Sequence, residues 1–288
     1  MHGGGFYHIQ KYTVAPPHLP EHLTWFMWES YTTWLSGAAL LVIMYYFGAE
    51  MYLIDPAVLE LPAAAAIALS AASLAFGWLA YDQLCRSRLG RSDTGLMLAL
   101  FALIVAMAWV YAALFSGRAA LLHLGAFTGT IMSANVFFVI IPNQRVVVAD
   151  LRAGRTPDPS LGKAAKQRST HNNYLTLPVL FLMLSHHAPL AFTSDYNWLI
   201  AALVFLMGVS IRHFFNTMHA GRGEPWWTWG VTACLFAAVI WLSSLDRGEA
   251  GAAVAGSNGE RFRLAAGFDE VHDVVLGRCS MCHAREPS

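Results

Sequence analysis

Residues 95–116 read Gly-Leu-Met-Leu-Ala-Leu-Phe-Ala-Leu-Ile-Val-Ala-Met-Ala-Trp-Val-Tyr-Ala-Ala-Leu-Phe-Ser, without one charged side chain. About 20 consecutive apolar residues is the length a helix needs to cross a bilayer. Six further segments of the same kind lie at roughly 25–47, 62–81, 119–141, 174–194, 197–213 and 226–244. Together they predict an all-α, polytopic transmembrane helix bundle of about seven spans. Composition agrees: 56% of the 288 residues are hydrophobic and 12% are charged, against about 25% charged in a soluble domain. The 18 basic residues balance the 18 acidic ones, so no net charge points to a nucleic-acid partner.

Prolines punctuate the runs. Pro56 and Pro62 bracket the first loop, Pro142 is expected to stop the fourth span, and Pro225 to open the seventh. Pro178 is expected to start or kink the fifth, because it removes a backbone donor. Trp25, Trp28 and Trp34, and later Trp226, Trp227 and Trp229, read as interface anchors. The first 24 residues are polar and rich in Gly, Pro and His, unlike a signal peptide. With alternating sides, twelve Lys and Arg fall on one face against Arg118 alone in the short loops opposite. The positive-inside rule then predicts a cytoplasmic N-terminus and an external C-terminal tail.

Residues 1–245 read as the membrane domain and 246–262 as a Gly/Ala/Ser-rich flexible linker. A short amphipathic stretch, 262–276, places Phe268, Val271 and Val275 on one helical face. It leads into Cys279-Ser-Met-Cys282-His283. That spacing is the attachment signature of a covalent haem c: two thiols add to the porphyrin as thioethers, and the imidazole faces the iron. Zinc would want two further ligands at metal-site spacing, and only His272 is near. A thioredoxin-like pair would want a βαβ context. His283 is thus the predicted iron ligand, and 263–288 the start of a cytochrome c segment. Only five residues follow His283, fewer than such a domain needs.

Ionisable groups at membrane depth are functional suspects. His123, His186 and His187 lie toward the predicted outer side, where they are candidate ligands of a haem b or an electron-transfer site. His171, His213 and His219 lie toward the cytoplasm, where a denser polar set also gathers: Asn143-Gln144-Arg145, then Arg168 and 170–174 (Thr-His-Asn-Asn-Tyr). Tyr7, Gln10, Lys11 and Tyr12 belong to the N-terminal segment. Amides and guanidinium groups can read the edge of a planar heterocycle, and aromatic faces can stack on it.

The opening His2-Gly-Gly-Gly-Phe-Tyr7, Gln10-Lys-Tyr12, Pro20-Glu-His22, Trp34-Leu-Ser-Gly37, Ile141-Pro-Asn-Gln-Arg145, Ser169-Thr-His-Asn-Asn-Tyr174 and the C-terminal Cys-x-x-Cys-His together resemble the membrane-bound, cytochrome c-linked urate oxidases. The resemblance runs nearly the whole chain, in order. It implies eight membrane helices followed by a cytochrome c domain, so this chain is expected to be truncated at both ends. It implies hydroxylation of urate at C5 to 5-hydroxyisourate with oxygen from water. Electrons would pass through haem to a respiratory cytochrome c or terminal oxidase, in a bacterial inner membrane with the cytochrome end periplasmic. The resemblance carries Cys279, Cys282 and His283 as haem attachment. The chemistry of the polar set, not the resemblance, suggests the rest. His171 is the expected general base, and Arg145 or Lys11 offsets the charge of urate. Gln144, Asn172 and Asn173 read its edge, while Tyr7, Tyr12 or Tyr174 stacks on the ring. Two rival readings stand beside this one: a haem b- or quinol-linked membrane oxidoreductase subunit, and a non-catalytic tether for a cytochrome c electron carrier.

Overall fold

The computed structural model describes residues 27–187, 189–245, 267–269, 271, 273 and 274. Lys11, Cys279, Cys282 and His283 lie outside the described residues, as does the linker. The chain divides into two compact units, 1–240 and 241–288. In the second, residues 268, 269, 271, 273 and 274 are helical, within the stretch read as amphipathic.

Among the described residues there is no strand. The helices are α1 (Met27–Leu41), α2 (Ala63–Arg86), α3 (Asp93–Leu114), α4 (Gly117–Asn135), α5 (Ile141–Arg152), α6 (Pro159–Leu184), α7 (Pro189–Phe192), α8 (Asn197–His219) and α9 (Trp227–Leu245). Serine and aspartate side chains start several of them by accepting backbone N–H groups that the first turn leaves unpaired. Ser92 caps α3 through Gly95 N at 3.1 Å, and Ser116 caps α4 through Ala119 N at 3.3 Å. Asp158 caps α6 with Pro159 at the first helical position, and bonds from the Ser160 hydroxyl and amide hold its carboxyl below the usual range.

Among the described residues, five helices are long and apolar enough to cross a membrane: α2, α3, the continuous Gly117–Arg152, α8 and α9. The first and fifth predicted spans do form helices, but not unbroken apolar ones. α1 is 15 residues long and gives way to π turns at Val42–Tyr46 and Ala49–Leu53. α6 begins at Pro159, well before the predicted start at 174, so its first half carries Lys163, Lys166, Arg168 and His171. Its apolar half ends in a 3₁₀ turn, Ser185–His187. Pro142 does not stop the fourth span. A π turn, Val136–Ile140, leads into α5 with Pro142 in the first turn, where the missing N–H costs least.

α4 is the central helix and packs against α2, α3, α6 and α8. Small residues let the helices close. A Cβ on Gly77 would meet the Phe127 ring at 2.4 Å, and one on Gly208 would meet the Pro178 ring at 2.6 Å. Pro178 does not start this helix but lies inside α6, and α8 accommodates its ring with a glycine. The outer faces are apolar: Phe76, Leu98, Trp109, Phe236 and Trp241 are all exposed. Such a surface needs an apolar surrounding.

Candidate functional site: a buried polar cluster beside an aromatic cavity

The C-terminal part of α2, the end of α4 and the middle of α6 bring together side chains that an apolar bundle would otherwise exclude. On α6, Arg168, His171, Asn172 and Leu175 follow the three- and four-residue spacing of one helical face. Arg168 is only 4% exposed. Its Nη2 donates to Asp82 Oδ1 at 2.6 Å, and its Nη1 donates to Asn135 Oδ1 at 3.1 Å. Asn135 Nδ2 donates onward to Asn172 Oδ1 at 2.9 Å, and Asn172 Nδ2 donates to the Met132 carbonyl at 2.9 Å. Beside them the Tyr81 hydroxyl and His171 Nδ1 share a 2.7 Å hydrogen bond, with His171 2% exposed. The guanidinium carbon of Arg168 lies 4.9 Å from the Tyr81 ring centre and 5.6 Å from that of Trp78. Arg86 donates to the second Asp82 oxygen at 2.7 Å. A buried ion pair survives only when its remaining hydrogen-bonding capacity is met, and here the amides and the second arginine meet it.

Of the polar set named from sequence, the cluster gathers Arg168, His171 and Asn172. Asn173 points the other way, toward α8: its Oδ1 accepts from Arg212 Nε at 3.1 Å and Asn216 Nδ2 at 2.8 Å. Tyr174 shares that side, bonded to His213 at 3.1 Å. Gln144 and Arg145 are exposed on α5. Tyr81, Asp82 and Asn135 were not singled out from the sequence. A carboxylate at the end of an apolar run and a lone amide inside the next were the available signals, and Arg86 one turn after Asp82 was a third.

Trp78 forms a boundary. One side faces Arg168. The other helps line a cavity of about 910 Å³ bounded by α1, α2, α4 and α5. Trp28, Tyr31, Trp34, Phe137 and Phe138 also line it, and Arg145 sits at one end, 3.9 Å from Met27 Sδ. Trp78 and Phe138 are stacked, with ring centres 5.6 Å apart and planes at 22°. Trp34 Nε1 donates to Thr130 Oγ1 at 3.0 Å across the cavity wall.

The other predicted histidines lie elsewhere. His123 is fully buried, its Nδ1 bonded to the Ala119 carbonyl at 2.8 Å and its Nε2 without a partner. The rings of Phe115, Tyr45 and Tyr111 surround it at 5.1, 5.3 and 6.0 Å, so a porphyrin on its Nε2 would have to displace them. His186 and His187 are exposed, ring centres 3.8 Å apart, on the turn after α6. Among the described residues no group of three or more His, Cys, Asp or Glu is placed to hold a metal ion.

A helical bundle with membrane-length apolar helices is consistent with a polytopic membrane protein, and its buried ion pair marks the candidate site. Residues 1–243 match the family described as urate oxidase, N-terminal, and the chain belongs to that family. Neither the curated proteins nor the solved structures searched give a match.

Proposed function

We propose that the protein hydroxylates urate to 5-hydroxyisourate in a bacterial inner membrane, and that the Arg168–His171 cluster is where urate reacts. The family match over residues 1–243 carries the substrate. The chemistry of the cluster supports the location. Urate presents ring N–H donors and carbonyl acceptors along one planar edge and is largely a monoanion near neutral pH. The cluster offers both acceptor and donor amides, at Asn135 and Asn172, and a cation, Arg168. In the closed state these groups bond one another. Binding exchanges the Asn135–Asn172 bond for amide bonds to the purine edge, with Asp82 keeping Arg168 in place. His171, oriented by Tyr81 through Nδ1, takes the proton of the attacking water or of a ring N–H.

The reaction adds one water to urate and releases two electrons and two protons. The pair of thiols Cys279 and Cys282 with His283 fits a c-type haem, which would take the two electrons one at a time and hand each on to a respiratory cytochrome c or oxidase. The twelve-to-one distribution of Lys and Arg supports a cytoplasmic N-terminus and a periplasmic haem-bearing tail. This reading leaves Asn173 to the contact with α8 and Arg145 to the cavity.

The test is anaerobic urate addition to protein produced with c-haem maturation. Reduction of the haem band by urate is expected, with no change on adding xanthine, which lacks the C8 carbonyl. Absence of reduction at any urate concentration would remove the assignment.

A further inference from the structure

The cavity has a hydrogen-bonding inventory opposite to that of the cluster. The cluster holds a carboxylate, two carboxamides and an imidazole. Among the described residues no such side chain lines the cavity. Its polar groups are indole N–H groups, the hydroxyls of Tyr31, Thr130 and Ser133, and the Arg145 guanidinium. Indole and guanidinium only donate, and a hydroxyl can donate or accept. The Trp34 indole is already used on the Thr130 hydroxyl. That leaves Trp28, Trp78 and Arg145 as the donor-only groups of the lining. The cavity therefore suits a ligand that accepts hydrogen bonds and has no N–H groups to satisfy. Urate is not such a ligand.

Its shape adds a second constraint. Thr130, Ser133, Phe137, Ile141 and Arg145 recur at three- and four-residue spacing along one wall, so that wall follows a single helical face for about 22 Å at 1.5 Å per residue. Trp28, Tyr31, Phe137, Phe138 and Trp78 form one connected group of rings, each 4.8–5.9 Å from the next, while Trp34 bonds Thr130 and Leu35, Leu74 and Ala75 complete the lining. The π turn Val136–Ile140 interrupts the α-helical ladder in the middle of the wall, a feature common at functional sites. Trp28, Leu35, Phe137 and Phe138 are also exposed on the apolar flank, so a ligand dissolved in lipid can enter sideways.

We propose that this cavity binds a lipid-soluble quinone. The flat ring lies among the aromatic side chains near Trp78, with one carbonyl accepting from Arg145, and the isoprenoid chain follows Leu35, Leu74 and Ala75. This goes beyond urate chemistry and does not depend on it. Trp78 nonetheless places the ring one side chain away from Arg168.

Decylubiquinone titrated into the purified protein in phosphatidylcholine nanodiscs, followed by tryptophan fluorescence, tests the proposal. Saturable quenching is expected. Arg145→Gln, a change at an exposed side chain, should raise the half-saturating quinone concentration about tenfold, the order expected for one charge-assisted hydrogen bond. Ala134→Trp should abolish saturation by filling the cavity while the melting temperature shows the fold retained. Quenching that is linear and equal in wild type and Arg145→Gln would overturn the proposal, as would equal displacement of quinone by phosphatidylglycerol, which marks a lipid groove. The measurement needs no urate, so its failure and that of the urate assignment are separate results.

Discussion

Trp78 separates two regions built from the same helices, α2 and α4, by opposite chemistry. On one side Asp82, Arg168, Asn135, Asn172, Tyr81 and His171 satisfy one another in a nearly closed network. On the other, aromatic rings and hydrogen-bond donors line an open space of about 910 Å³. Helical geometry produces the difference. Along α4 and the π turn that follows it, the Met132 carbonyl and Asn135 meet α6, whereas Ser133, Ala134 and Phe137 line the cavity beside α1. One element thus offers a polar face and an apolar face a fraction of a turn apart. The polar face is held by mutual bonding that a ligand there must exchange. The apolar face has room to bind.

If the division is correct, substitutions on the two sides of Trp78 have different effects. The largest is expected at His171. His171→Ala should lower urate-dependent haem reduction about 10²–10⁴-fold, the usual loss on removing a general base, with helix content unchanged by circular dichroism. Next comes Asp82→Ala, which leaves Arg168 buried without its carboxylate. Thermal or denaturant unfolding should show a loss of about 3–5 kcal/mol. The double change Asp82→Ala, Arg168→Met should recover much of it, because no charge then stays unpaired. If the single variant is as stable as wild type, the pair is not the buried anchor described above.

Gly208→Ala probes packing away from both regions. Its new Cβ would meet the Pro178 ring at 2.6 Å, and overpacking of this kind costs about 1–3 kcal/mol. Unfolding should report that cost. A stability gain would mean that α6 and α8 can separate without penalty. The smallest expected effect is at Tyr81→Phe, which removes one hydrogen bond to His171, worth about 0.5–1.5 kcal/mol. It should shift the pH profile of urate oxidation more than it shifts stability, because the Tyr81 hydroxyl bonds the His171 ring directly.

The sequence made the apolar helices legible because a bilayer-length run without charge has few other uses. It also brought out Arg168, His171 and Asn172, whose polar neighbourhood at the mouth of a span is visible in one dimension. It was silent on the partners. Tyr81 and Asp82 sit where an apolar run ends, and there a carboxylate followed by Arg86 reads as an ordinary solvated helix end. Only the arrival of α6, 86 residues later, turns Asp82 inward to Arg168. The early start of α6 was hidden for a related reason. A polar first half looks like a loop when hydropathy is the guide, although Asp158-Pro159-Ser160 carries the signature of a capped helix start. Asn173 could not be separated from Asn172 by residue type. One step along a helix turns a side chain by about 100°, and that step sends Asn173 to α8.

The central claim is that urate reacts at the polar cluster and not in the cavity. The most direct measurement is the anaerobic urate dependence of haem reduction in Asn172→Ala and Arg145→Gln compared with wild type. The account predicts that Asn172→Ala raises the half-saturating urate concentration at least tenfold, while Arg145→Gln leaves the urate curve where it is. The opposite pattern, with urate affinity lost at Arg145 and kept at Asn172, would move the substrate across Trp78 into the aromatic cavity and contradict the assignment.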